Sequence, residues 1–162
     1  MRNNSWRPFS GTLLFVAALG AAACHDAPTT PVAPSPPIPE VAGAWTGTVQ
    51  SLDYGDEGPL CPSEPVSVDL ESADAGSRFF HASIRAACVT ANFSGQFVAP
   101  TNEVLNGTVT YDVGGVQYQA VLNATFEGKP SSRMTATTSS FQHPFPDGSV
   151  LLRDSLRLEL SR

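Results

Sequence analysis

Residue types that carry catalysis and metal chemistry are scarce in this 162-residue chain: three cysteines, three histidines, two methionines and two tryptophans. Charged residues make up only 15% of it, and Lys129 is its only lysine. No Gly-x-Ser-x-Gly elbow, His-Glu-x-x-His pair or phosphate-cradling glycine loop occurs, which removes the commonest hydrolase, metalloprotease and nucleotide-binding readings. His25, His81 and His143 are dispersed, in a proline-rich stretch, on the polar face of a strand, and in a Phe/Pro-rich loop. Asp69 and Glu71 share a strand face, but it is the polar one. The expectation is a protein that is not an enzyme, with no cofactor and no metal. The loop with Asp53, Asp56, Glu57 and Gly58 has enough carboxylates to attract Ca²⁺, yet its spacing is not that of an EF-hand, and a plain acidic loop is the simpler reading.

Positive charge is short as well. The net charge is −6, and loss of Arg2 and Arg7 with a cleaved leader would take it to −8. A surface of that sign repels nucleic acid and anionic headgroups and favours solubility. Long apolar runs are also missing. Gly11 to Ala23 spans thirteen residues, roughly 20 Å as a helix, against the roughly 30 Å hydrocarbon core that a spanning segment must cross.

What that run does have is a basic flank before it (Arg2, Arg7) and small residues at its end (Ala21, Ala22, Ala23), the layout of a secretory leader over residues 1–23. An ordinary cleavage site of the Ala-x-Ala kind is one ending. The other is set by Leu19-Gly20-Ala21-Ala22-Ala23-Cys24, which resembles the lipobox of bacterial lipoproteins, with alanine at position 21 where leucine is usual. The resemblance implies that Cys24 becomes the lipid-modified first residue of the mature chain. It also implies a partner, the membrane, reached through the lipid anchor, and a location in the bacterial cell envelope facing the periplasm or the exterior. At about 0.8 kcal/mol per buried methylene, one acyl chain anchors marginally and several anchor stably.

Cys24, Cys61 and Cys88 form an odd set, which in an oxidising compartment would leave one reactive thiol. Lipidation of Cys24 leaves Cys61 and Cys88 to pair, and the closed loop would contribute roughly 3–4 kcal/mol on the chain-entropy model. A redox or metal pair is the competing reading, but no His or Cys nearby completes a ligand set. Between Cys24 and Glu40, prolines at 28, 31, 34, 36, 37 and 39 preclude a packed core. This stretch reads as an extended tether at about 3.1 Å per residue. Pro34 and Pro37 have the PxxP spacing of a docking peptide, a less economical reading in an envelope protein.

Residues 41–162 form the expected folded domain, and their hydrophobic pattern has period two throughout, without the i, i+3, i+4 spacing of a helix. Strands are expected over Val41–Ser51, Val66–Ala73, Arg78–Ala86, Cys88–Val98, Val104–Val113, Val116–Glu127, Arg133–Phe141 and Val150–Ser161. Gly114-Gly115 supplies the positive φ of a tight hairpin turn. An all-β, single antiparallel up-and-down barrel of about eight strands follows, with a two-sheet β-sandwich as the alternative, since both need one apolar face per strand. Asn92, Asn106 and Asn123 begin Asn-x-Ser/Thr sequons on the polar faces, incidental in a bacterial host.

Gly43-Ala44-Trp45 resembles the Gly-x-Trp signature in the first strand of lipocalins and related calycin barrels. The resemblance implies that Trp45 closes one end of the barrel, with Arg153 or Arg157 standing for the basic residue that packs on that tryptophan. Avidin-like barrels begin similarly but enclose biotin with several further tryptophans, and here the mature chain has only Trp45. A barrel of this size is wide enough either to be packed solid or to hold one ligand. A small hydrophobic ligand would be held among Trp45, Phe80, Phe93, Phe97, Tyr111, Tyr118 and Phe126. The other class of function is an envelope structural or protein-interaction module with a solid barrel.

Overall fold

The structure, a computed structural model, describes residues 34, 36–54 and 58–162. The leader, Cys24, most of the proline-rich stretch, Asp56 and Glu57 lie outside the described residues. Ten strands follow in chain order: β1 Gly43–Asp53, β2 Glu64–Ser72, β3 Phe79–Ala86, β4 Thr90–Phe97, β5 Val104–Val113, β6 Val116–Glu127, β7 Arg133–Thr138, β8 Phe141–Pro144, β9 Val150–Arg153 and β10 Ser155–Ser161.

Successive strands from β1 to β7 pair antiparallel, and β10 pairs with β7 on one side and β1 on the other. Strands β1 to β7 and β10 therefore close into an eight-stranded barrel. The β1–β10 ladder, from Thr46 opposite Ser161 to Asp53 opposite Ser155, excludes the sandwich. Alternation explains the core. Val66, Val68 and Leu70 on β2, Phe80, Ala82 and Ile84 on β3, and Leu156, Leu158 and Leu160 on β10 are buried, and the residues between them face outward. The sequon residues Asn106 and Asn123 meet on the outer wall, where the Asn106 amide donates to the Asn123 side-chain oxygen at 2.8 Å.

Two expected strands are broken, and side chains explain where. Arg133–Phe141 divides into β7 and β8, and Val150–Ser161 divides into β9 and β10 at Asp154. The buried Leu156 amide donates to the Thr138 hydroxyl at 2.8 Å. Next to it, Ser139 exchanges main-chain and side-chain hydrogen bonds with Val121 on β6. Beyond this point β8 and β9 form a hairpin that meets β6 at Gln119 opposite Gln142. His143, expected in a loop, therefore lies on β8, with Nδ1 2.7 Å from the Gln117 carbonyl oxygen.

The last proline-rich residues are held on the barrel. The Asn102 amide donates to the Pro36 carbonyl at 2.6 Å, Ile38 packs against the core and Val41 is fully buried. Residues 36–40, assigned to the tether on composition, dock at the end of the barrel where β1 starts.

Candidate functional site

The interior is built in three tiers. At the end where β1 starts, Trp45 stands edge-on to Phe126 at 5.8 Å, Phe126 lies 5.7 Å from Phe97, and Phe97 stands edge-on to Phe80 at 5.4 Å. At the other end Tyr111 stacks on Tyr118 at 5.1 Å and meets the edge of buried Phe141 at 4.7 Å. Between them lies an aliphatic tier including Val68, Leu70, Ile84, Leu122 and Leu158, with a void of about 20 Å³. The seven aromatics expected around a ligand are thus split between two plugs, with Phe93 alone in the middle tier. Phe93 fits because Gly95 and Gly107 face each other across β4 and β5: a Cβ at either would collide with its ring and with the neighbouring backbone.

Arg162, and neither Arg153 nor Arg157, packs on Trp45. Its guanidinium lies 4.7 Å over the indole and donates to the carbonyls of Ser131 at 2.6 Å, Ala42 at 2.9 Å and Glu40 at 2.6 Å. Arg157 instead pairs with Glu159 at 2.7 Å on the outer wall, and Arg153 lies 5.9 Å from the Tyr118 ring at the opposite end. Arg162 follows the last strand and carries no pattern signal. Only the β1–β10 register brings the C-terminus to the start of β1. The planar fork satisfies three carbonyls at once, so Arg162→Ala is expected to cost on the order of 1–2 kcal/mol, and Arg162→Lys should recover little of it. Urea denaturation of the three proteins measures this, and full recovery by lysine would contradict the fork.

At the far end the Tyr111 hydroxyl is buried without a hydrogen-bond partner. Desolvation holds its pKa above the ordinary 10.0, with the field of Arg153 opposing. The neutral form is therefore favoured by folding, and that contribution is lost as pH rises above 10 towards the folded value. Tyr111→Phe removes an unsatisfied group and is expected to leave stability unchanged or raise it by about 1 kcal/mol. It should also flatten the alkaline fall in stability, which a pH series of unfolding midpoints would reveal.

Outside this plug, beyond the Asp53–Ser155 pair, β1 and the β9–β10 stretch part company. A groove of about 560 Å³ opens between them, lined by Asp53, Tyr54, Gly58, Ser140, Leu151, Leu152, Arg153 and Asp154. Polar contacts fix its base: the buried Asp154 carboxylate accepts from the Leu60 amide at 2.7 Å, and Asp53 accepts from the Ser155 hydroxyl at 3.0 Å. The apolar walls are on display. Tyr54, Leu151 and Leu152 are each between 42% and 59% exposed, and Val150 and Phe145 on or next to the β8–β9 hairpin are exposed as well. Consecutive exposed leucines at a strand end are visible in the sequence, but the alternation rule hides them by turning every second one inward.

Asp69, Glu71 and His81 line a shallow depression on the outer wall, on the polar face expected of them. Among the described residues no three His, Cys, Asp or Glu side chains gather as a metal site. No protein-family model, curated protein or solved structure matches the chain. The class the fold defines is a closed eight-stranded antiparallel β-barrel, filled along its axis and plugged by aromatics at both ends.

Proposed function

We propose that this protein is a lipid-anchored module of the bacterial cell envelope whose barrel is a solid scaffold and whose business is done by its surface, without catalysis. The observation that carries this reading is the interior void of about 20 Å³. Sites that enclose a small molecule run to about 300–1,000 Å³, so a hydrophobe would have to displace a plug to enter. The calycin-like resemblance of Gly43-Ala44-Trp45 fits the barrel and the Arg162 cap over Trp45, and it bears on architecture more than on a ligand. The lipobox-like run ending at Cys24 supports the anchor. The described chain enters the barrel through residues 36–40 at the Trp45 end, the end opposite the groove beside β9.

Native mass spectrometry of the purified barrel, with competition by a fluorescent fatty acid, tests the scaffold reading. The bare polypeptide mass and no fluorophore binding are expected. A stoichiometric hydrophobe would restore the carrier reading, with Trp45, Phe80, Phe93, Phe97, Tyr111, Tyr118 and Phe126 as its contacts. The anchor has its own test. Cys24→Ala should release the protein from the membrane fraction and abolish the mass of the acyl chains, and continued membrane association would count against lipidation.

A further inference from the structure

We propose that the groove beside β9 receives an extended strand of a partner protein, which adds to the free edge of β9 and places a lysine or arginine against Asp53 and Asp154. This rests on the scaffold reading and names the surface through which the scaffold acts.

The argument starts from the ladder. Among the described residues β9 pairs only with β8 and ends the sheet order. The Phe145 amide bonds to the Ser149 carbonyl, and Gln142, opposite Leu152, has its other edge towards β6. Because antiparallel partners alternate in where their amides point, the N–H and C=O groups of Val150 and Leu152 are directed away from β8, to the open side. A free edge of this kind is a template for another strand, and secreted proteins ordinarily blunt it with charge, proline or a bulge. Here the edge is Val150-Leu151-Leu152, exposed on both faces and unblunted until Arg153.

The space beside the edge is already shaped. At about 560 Å³ the groove has room for a short extended segment, far beyond a trapped water's share of about 30 Å³. Its walls, Leu151, Leu152 and Tyr54, are apolar, while its polar lining sets two carboxylates beside the Arg153 guanidinium, with Asp53 accepting from Ser155 and Asp154 from Leu60, a balance of one negative charge. Main-chain hydrogen bonds to the edge would give affinity. Alternate side chains of the incoming strand, one apolar and one cationic, would give specificity. The charge balance favours a different protein over a second copy, since two copies of a chain of net charge −6 repel each other.

The test uses the full chain, isotope-labelled, titrated with a blocked synthetic peptide of alternating valine and threonine with one central lysine. Amide resonances of Val150 and Leu152 should shift and gain exchange protection, and a peptide with glutamate for the lysine should bind about tenfold or more weakly. Leu152→Pro removes an amide that β8 does not use, so it should abolish binding with the barrel spectrum retained. Asp53→Asn still accepts from Ser155 and should erase the lysine preference. Shifts confined to other strands, equal binding of both peptides, or binding unaffected by Leu152→Pro would each overturn the assignment. So would self-association that Leu152→Pro abolishes, which would make the occupant a second copy. Failure of the peptide to bind, with no hydrophobe in the barrel, removes the groove assignment and leaves the scaffold standing. Fatty-acid binding inside the barrel would remove the scaffold reading itself.

Discussion

Trp45→Ala is expected to destabilise the barrel by about 3–5 kcal/mol, the range for deleting a buried aromatic. The indole is fully buried, donates from Nε1 to the Val41 carbonyl at 2.9 Å, touches Phe126 and carries Arg162 on its face. Truncation opens the end of the barrel, leaves the Val41 carbonyl without its donor, and removes the ring that Arg162 covers. A domain of ordinary stability has only about 5–15 kcal/mol in total, so the variant should melt on the order of 10 °C or more below the parent. Trp45→Phe keeps most of the ring volume and should cost much less, mainly the lost hydrogen bond, about 1–2 kcal/mol. Far-UV circular dichroism in urea follows both without depending on the fluorophore being removed. A loss below about 1 kcal/mol for Trp45→Ala would mean that the plug is not a structural closure.

Breaking the Cys61–Cys88 disulfide should cost about 3 kcal/mol, chiefly by restoring conformational freedom to the unfolded chain. The bond joins the β1–β2 connection to the turn after β3 and closes a separation of 27 residues. Hydrogen bonds reinforce both of its ends: Cys61 exchanges with Ser51, by its amide to the side-chain oxygen at 3.0 Å and by its carbonyl from the Ser51 amide at 2.8 Å, and the Cys88 amide donates to Glu64 at 3.1 Å. These contacts should keep the local geometry when the bond is cut, so the barrel should still fold. The measurement is the guanidinium midpoint of the parent with and without reductant, beside a variant carrying Cys61→Ala and Cys88→Ala. A midpoint indifferent to reductant would show that the pair contributes nothing to stability. Leu60, next to Cys61, donates to Asp154 at the groove, so loss of the disulfide should also loosen that base, seen as faster exchange of the Leu60 amide.

The strands themselves were legible to a degree that helices seldom are. Val104–Val113 and Val116–Glu127 fall where alternation and Gly114-Gly115 place them, because a two-residue turn of positive φ leaves the pattern one register to adopt. The inward residues of β2, β3, β4 and β10 follow from period two alone. Legibility failed where a side chain replaced a backbone partner. Thr138 taking the Leu156 amide ends one ladder and starts the β8–β9 hairpin, and no periodicity records a hydroxyl standing in for a carbonyl. The same blindness turned exposed Leu151 and Leu152 into ordinary strand residues and left Arg162 out of account.

The candidate sites divide along the same line. The aromatic set was chosen because its members point inward, which is correct for all of them, with Phe126 half-buried at the rim against Trp45 and Phe97. Pointing inward says nothing of height along the barrel axis. Height comes from strand stagger, and it sorts Trp45, Phe80, Phe97 and Phe126 to one end and Tyr111 and Tyr118 to the other.

By itself the sequence determined the local terms: all-β structure from period two, the hairpin at Gly114-Gly115, and, once Cys24 is set aside, the pairing of Cys61 with Cys88. Those depend on neighbours along the chain or on a count of residues. Only the tertiary structure decided that the sheet closes, that Arg162 caps Trp45, that the interior is filled, and that β9, among the described residues, pairs on one side only. Each of these depends on which distant segments share a ladder and how far they slide along one another, and that choice is made by the packing of the whole barrel at once.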